Sequence, residues 1–255
     1  MQAKLAGMSM RIDIWSDIAC PWCFVGKRRM EAALADFPHK DEVQIVWRAF
    51  ELDPSAPKVL SGEVSYAERL ARKYRTSAAQ GEAMCQRMTA TAAEDGLSFR
   101  FDRIRPGNTF DAHRLLHLAG ERGCQDALKE RLLSAYLEQG QAIGDGAVLA
   151  RCAAEVGLDE EEVQALLAGD RFADEVRQDE ATARSLRVTG VPFFVFDGRI
   201  GVSGAQPAEL LREVLDKAWA QHTPALETVA GTDGAACGPE GCAVPAAEPA
   251  TGTAP

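Results

Sequence analysis

Four of the seven cysteines in this 255-residue chain form two close pairs: Cys20 and Cys23 in CPWC, and Cys237 and Cys242 in CGPEGC. Two thiols at such spacing can form and break a disulfide, attack a disulfide in another molecule, or supply half of a tetrahedral zinc site. A CxxC that opens a helix holds its first thiol over unpaired N–H groups and the positive end of the helix dipole. That position lowers the thiol toward the range of reactive thiolates. CPWC fits it: Pro21 suits the first helical position, where its missing N–H costs nothing, and Lys27, Arg28 and Arg29 follow one to two turns on. The expected division of labour is attack by Cys20 on a substrate disulfide, or its reverse, with the more buried Cys23 resolving the mixed disulfide. A zinc site would need four ligands, from Cys237 and Cys242 or from His113 and His117, spaced i, i+4. Histidines on such a helix are more often solvated or hydrogen-bonded, and no metal is expected. Cys85, Cys124 and Cys152 stand singly beside Met, Leu, Ala or Gly and read as small buried apolar residues.

The elements around CPWC must form a strand, a sharp entry into a helix and a second strand. RIDIWSD (11–17) alternates at strand period, KRRMEAALADF places Met30, Leu34 and Phe37 on one helical face, and VQIVWRAFEL (43–52) alternates again. Two strands joined through a helix should be parallel. From Pro54 to about Arg187 the texture becomes rich in Ala, Leu, Glu and Arg, with segments ending at or near Gly. Five to seven helices are expected there, one capped by Asp159, with little strand signal beyond LSFRF (97–101). Strand texture returns at GVPFFVFDGRIGVSGA (190–205), where Asp197-Gly198 is a hairpin signal. Pro207 then opens PAELLREVLDKAWAQ, whose Leu210, Leu211, Val214, Leu215 and Trp219 recur at helical spacing.

The expected class is therefore α/β, a β-α-β half and a β-β-α half with a large all-helical insertion between them. The boundaries fall at 10–54 and 188–222 for the sheet-bearing part, 55–187 for the helical part and 223–255 for a cysteine-containing tail. The tail is mostly Ala, Gly, Pro, Thr and Glu without aromatics, a composition that cannot bury enough apolar area to offset ordering the chain. A net charge of -10 excludes the basic face that nucleic acids need. No apolar run approaches the ~18 residues of a membrane span, and the first fifteen residues lack the ~7–15 apolar residues of a secretion signal. A cytoplasmic location is expected, where close cysteine pairs are more often catalytic or metal-binding than structural.

With CPWC at the first helix and VPFF (191–194) after a helical insert, the chain resembles the thioredoxin superfamily in its DsbA-like form. It is similar in particular to the FrnE-type branch through SDIACPWCFVGKRRME, WRAFELDP, NTFDAHRLLHLA and TGVPFFVFDGRIGVSGAQP, which together span residues 10–222. The resemblance implies a thioredoxin fold and a thiol–disulfide oxidoreductase acting on protein or peptide thiols and disulfides. It implies that Pro192 is a cis-proline beside the cysteine pair, excluding metal, and that the Val191 backbone pairs with an extended peptide. Pro21, Trp22, Val191 and Pro192 are thus the expected substrate platform. DsbA itself usually has His where this chain has Trp22, so a strongly oxidising potential is not implied and a milder couple is expected.

The chemistry calls for no prosthetic group; glutathione or another thiol could enter as co-substrate. Two other functions share these features. Glutathione-dependent isomerases and transferases of the same fold generally lack the second cysteine and centre on a Ser; in such a protein Asn108 and His113 could line a cleft, against capping and surface roles. A cysteine metal-binding protein would use Cys20, Cys23, Cys237 and Cys242. The tail pair resembles the second cysteine pair of a FrnE form and is expected to exchange with CPWC. Some 18 residues from Trp219 to Cys237 span ~24 Å as a flexible chain, enough reach for an effective concentration in the ~mM range. Monomer and dimer remain equally open.

Overall fold

The computed structural model describes residues 9–58 and 64–222, and the backbone of 237–238 and 241–242. Strand β1 (Met10–Ser16) leads into helix α1 (Pro21–Ala35), and a short 3-10 turn at Lys40–Glu42 precedes β2 (Val43–Ala49). Seven helices follow: α2 (Tyr66–Lys73), α3 (Ala78–Glu94), α4 (Phe110–Glu121), α5 (Gln125–Leu137), α6 (Gly146–Glu155), α7 (Glu160–Ala168) and α8 (Ala173–Ser185). The chain then forms the β3 (Phe193–Phe196) and β4 (Ile200–Ser203) hairpin and ends its described core with α9 (Ala208–Gln221). The sheet order is β2-β1-β3-β4, with β1 and β2 parallel and the other neighbours antiparallel.

Side-chain alternation assigns each sheet face its cover. Ile12 and Ile14 of β1 stand opposite Phe196 and Phe194 of β3, and all four enter one core with Met30 and Phe37 beside α1 and Leu211 and Leu215 from α9. Trp15 and Val195, which alternate with them, point to the other face and pack on Ala183 of α8 and on Val188. Each fully buried side chain of this size contributes about 1.5–3 kcal/mol over its exposed state. The Asp197-Gly198 turn has φ of 50° and 66°, the left-handed pair that closes a tight hairpin. The helical layer has its own large core, reached from the sheet side by Ile18, Phe24 and Val25. Ser65 and Ser77 close capping boxes on α2 and α3, and Asp159 caps α7 through the Glu162 amide at 2.9 Å.

Two expected strand segments differ. β2 stops at Ala49 rather than Leu52 because side chains take over its donors: Ala49 N–H and Leu52 N–H go to the Asp179 and Asp17 carboxylates at 2.9 and 2.7 Å. LSFRF forms no strand, and its last residue, Phe101, enters a turn. Leu97 and Phe99 alternate inward as the pattern implied, yet into the helical core, while the Arg100 amide bonds the Leu137 carbonyl at 2.8 Å. In the tail, β5 (Cys237–Gly238) pairs antiparallel with β6 (Gly241–Cys242), setting Cys237 opposite Cys242 in backbone register. The side chains of Cys237 and Cys242, and the tail roles expected for them, lie outside the described residues.

Candidate active site

The β1–α1 connection sets one sulfur at a cavity wall and the other behind it. Cys20 is the N-cap of α1, with extended backbone, and Pro21 is the first helical residue. The Cys20 amide bonds the Asp17 carbonyl at 3.2 Å, and the Cys23 amide bonds the Cys20 carbonyl at 3.1 Å, so both thiols turn to one side. Cys23 is 0% exposed and Cys20 5%. Val191, whose peptide bond to Pro192 is cis, arrives from the chain before β3 and sets its carbonyl oxygen 3.4 Å from Cys20 Sγ. Gly26 of α1 lies directly under the Pro192 ring: a Cβ there would come within 2.9 Å of Pro192 Cγ.

Between sheet and helical layer a cavity of about 670 Å³ opens at Cys20. Pro21, Trp22 and Val191 line it from the sheet side, and Tyr66, Met84 and Phe101 from the helical side. Among the described residues its charged lining side chains are both cationic, Lys73 and Arg87. Trp22 is 43% exposed at the rim. Pro192 is buried behind Val191 and does not line the cavity. Cys85 does line it, nearly buried, with burial pushing its thiol up, which agrees with an unreactive small apolar residue.

The two thiols titrate as one unit. Cys20 is pushed well up by its hydrogen bond to Cys23 and by burial. Burial also works to raise Cys23, but the bond from Cys20 and the charge of Lys129 outweigh it, with help from Ser16 and the Asp17 backbone, and Cys23 falls below the usual thiol value. Lys129 and Ser16 act from the Cys23 side, and no spacing in the sequence connects them to it.

Asp17 and His113 add a buried polar pair behind the turn. Burial would raise the Asp17 carboxyl, but His113, the Leu52 N–H and Thr109 hold it below the ordinary carboxylate value. His113 Nε2 lies 3.5 Å from Asp17 Oδ1, and the Ala19 amide reaches that oxygen at 3.3 Å. His113 and His117 do not converge: His117 Nε2 lies 3.1 Å from Asp179 instead. Asn108 donates to Glu51 Oε1 at 3.1 Å and accepts from the Phe110 amide at 2.8 Å, a bracing role outside the cavity. Among the described residues no group of three or more His, Cys, Asp or Glu is placed to hold a metal. Asp17 and Lys129 were not foreseen. Asp17 had a faint signal, a charge at the end of an apolar strand next to CPWC; Lys129 had none, in a helix of ordinary amphipathic composition.

The model of the DsbA-like thioredoxin domain family matches residues 11–216, and the chain belongs to that family. Oxidoreductase chemistry on thiols and disulfides goes with it. The crystal structure of a probable DsbA oxidoreductase from Streptomyces coelicolor is 48% identical, covers 93% of this chain and 100% of its own, and superposes with a TM-score of 0.80. The uncharacterised protein YwbO of Bacillus subtilis is 28% identical over 211 residues, 82% of this chain and 96% of YwbO. A cytosolic disulfide reductase, DsbM of Pseudomonas aeruginosa, shares the fold at 17% identity, with a TM-score of 0.58 over 83% of this chain and 100% of that one. No helix among the described residues is long and apolar enough to cross a membrane.

Proposed function

We propose that this protein exchanges disulfides with protein or peptide substrates, Cys20 attacking and Cys23 resolving. The observation that carries it is the asymmetry of the pair: Cys20 lines the cavity, while Cys23 stands wholly buried behind it. An incoming extended chain that hydrogen-bonds along Val191 frees Cys20 from its carbonyl contact. Transfer of the Cys20 proton to Cys23 then gives a Cys20 thiolate at the helix N-terminus. That thiolate attacks a substrate sulfur, the substrate S–S bond breaks, and its electron pair leaves on the second substrate sulfur. That departing thiolate takes the proton from Cys23, and the Cys23 thiolate attacks Cys20 Sγ, forming Cys20–S–S–Cys23 and releasing the first substrate sulfur as a thiolate that solvent protonates. The substrate is oxidised when the same steps run backward. An apolar cavity edged by Lys73 and Arg87 suits a cysteine flanked by apolar and acidic residues.

The test is dithiothreitol-driven insulin reduction. Cys20→Ser should abolish it, and Cys23→Ser should trap a mixed disulfide at Cys20 visible by mass spectrometry. Full activity in Cys20→Ser would overturn the assignment. Retention of both sulfurs weighs against a glutathione-dependent isomerase or transferase, in which glutathione would be more than a co-substrate. A reducing, cytoplasmic setting suits an odd number of cysteines. The backbone register of Cys237 against Cys242 favours a tail pair that closes on itself and exchanges with Cys20. Truncation after residue 222 should then change the equilibrium with glutathione.

A further inference from the structure

The helical wall of the Cys20 cavity is made mostly by one face of α2 and one of α3. Ala67 and Ala71 of α2 are buried against α3, where Gly81 lets the two helices touch: a Cβ on Gly81 would lie 2.2 Å from the Ala67 carbonyl oxygen. With that face committed, the row Tyr66, Leu70, Lys73 and Tyr74, spaced i, i+4, i+7 and i+8, falls to the cavity. Tyr66 fixes the row by stacking on Phe101, with ring centroids 4.9 Å apart. From α3 come Met84, Arg87 and Met88. Trp22, Leu52 and Tyr74, three of the five exposed large apolar side chains among the described residues, all border this cavity. Such clustering marks a contact surface rather than scattered exposure. Lys73 and Arg87 stand exposed within it. Neither pairs with a carboxylate among the described residues, whereas Arg29 of α1 binds Asp95 at 3.0 Å. Lys73 Nζ instead stands 6.0 Å over the Tyr74 ring. Acids on the same helices are engaged elsewhere: Glu68 takes the Ser65 amide at 2.9 Å, and Glu82 accepts from Gln86 Nε2 at 3.5 Å. In a chain of net charge -10, the described mouth beside the nucleophile thus carries cations alone.

We propose that Lys73 and Arg87 form a carboxylate-reading subsite, which selects polypeptide substrates carrying Asp or Glu within about three residues of the reacting cysteine. This rests on the exchange reaction assigned above and names the substrates it prefers. The spacing follows from size. A compact cavity of about 670 Å³ is about 11 Å across, the span of about three extended residues. A chain with its cysteine at Cys20 and its backbone along Val191 sets neighbouring side chains against α2 and α3. Leu70, Tyr74 and Met84 cover their apolar atoms, and the two cations meet a carboxylate. The preference opposes the charge of the whole protein, whose net -10 repels acidic partners. At physiological salt that wider field is screened beyond about 8 Å, inside which Lys73 and Arg87 act. Selection of acidic substrates therefore has to be local.

The experiment measures second-order rate constants for reduction of three peptide disulfides by the full chain, reduced beforehand, at about 0.15 M salt. The peptides are identical but for Glu, Gln or Lys two residues from the cysteine. Wild type should reduce the Glu peptide about 3–10-fold faster than the Lys peptide, since one exposed ion pair is worth a factor of about 1.5–5. K73Q/R87Q should bring that ratio to one or below, and K73E/R87E should invert it in favour of the Lys peptide. Both side chains are exposed, so melting temperatures should match wild type. Equal rates for the Glu and Lys peptides in wild type would overturn the proposal, as would a ratio that K73Q/R87Q leaves unmoved. A preference that emerges only after truncation at residue 222 would also overturn it. That result would assign the subsite to the chain's own acidic tail, which carries Glu227, Asp233, Glu240 and Glu248 with no Lys or Arg. No reduction of any of the three peptides would refute the exchange reaction itself, and the subsite with it.

Discussion

Replacing Gly26 with alanine should damage the site from behind. A helix-interior Gly→Ala change ordinarily stabilises by about 0.5–1 kcal/mol. Here the new methyl would meet Pro192 Cγ at 2.9 Å, Pro192 Cβ at 3.5 Å and Phe194 Cζ at 3.3 Å. The proline ring has no rotamer to escape into, and Phe194 is fully buried in the sheet core, so the backbone at Val191–Pro192 must move. Overpacking of this kind costs about 1–3 kcal/mol. Against the propensity gain, the net loss should be about 0–2.5 kcal/mol, a melting temperature lower by up to about 10 °C for a domain of this size. The motion also changes the 3.4 Å relation between the Val191 carbonyl and Cys20 Sγ. Insulin reduction should therefore fall about 3–10-fold at temperatures where the variant is fully folded, since small misplacements of reacting groups are costly. Gly120→Ala serves as control: its Cβ would meet only the Gln125 side-chain amide, at an ordinary contact distance of 3.4 Å, and it should stabilise by about 0.5–1 kcal/mol. A Gly26→Ala protein that melts higher than wild type with undiminished turnover would refute the tight packing of α1 against Pro192.

Asp17→Asn should destabilise by about 1–3 kcal/mol at neutral pH, because the Leu52 and Ala19 amides lose a charged acceptor. The Asp17 carboxyl is held below its unfolded value of about 3.9, so its contribution is present above that pH and lost as pH falls through the folded value. Urea denaturation from pH 6 downward should show a smaller acid loss in Asp17→Asn than in wild type; parallel curves would contradict this. Asp179→Ala should cost about 2–4 kcal/mol, since it orphans the Ala49 amide, frees His117 and leaves Arg48 with Asp13 alone. Denaturation of the sheet and the helical layer should then separate, which an unchanged single transition in Asp179→Ala would rule out.

Much of the architecture was legible because period carries it. β1 and β3 alternate, α1 and α9 repeat at helical spacing, and Asp197-Gly198 marks the turn, each a local consequence of backbone geometry. LSFRF shows the limit: its alternation was real, but a strand also needs a partner edge, and that region of the chain faces helices. The end of β2 was equally invisible, because the carboxylates that terminate its ladder arrive from Asp17 and Asp179, about 35 and 130 residues away.

For the site, the amino-acid sequence by itself determined that Cys20 and Cys23 open a helix after a strand, because a cysteine N-cap followed by proline is a local arrangement. It also marked VPFF as the segment that returns to them, through resemblance rather than through any local rule. Only the tertiary structure decided which groups surround the two sulfurs. Electrostatics acts through space, and the groups that set it, Lys129 on α5 and Ser16 and Asp17 behind the turn, reach Cys23 through packing of the helical layer onto the sheet. A lysine in a helix of mixed composition reads as solvated until the fold removes its water.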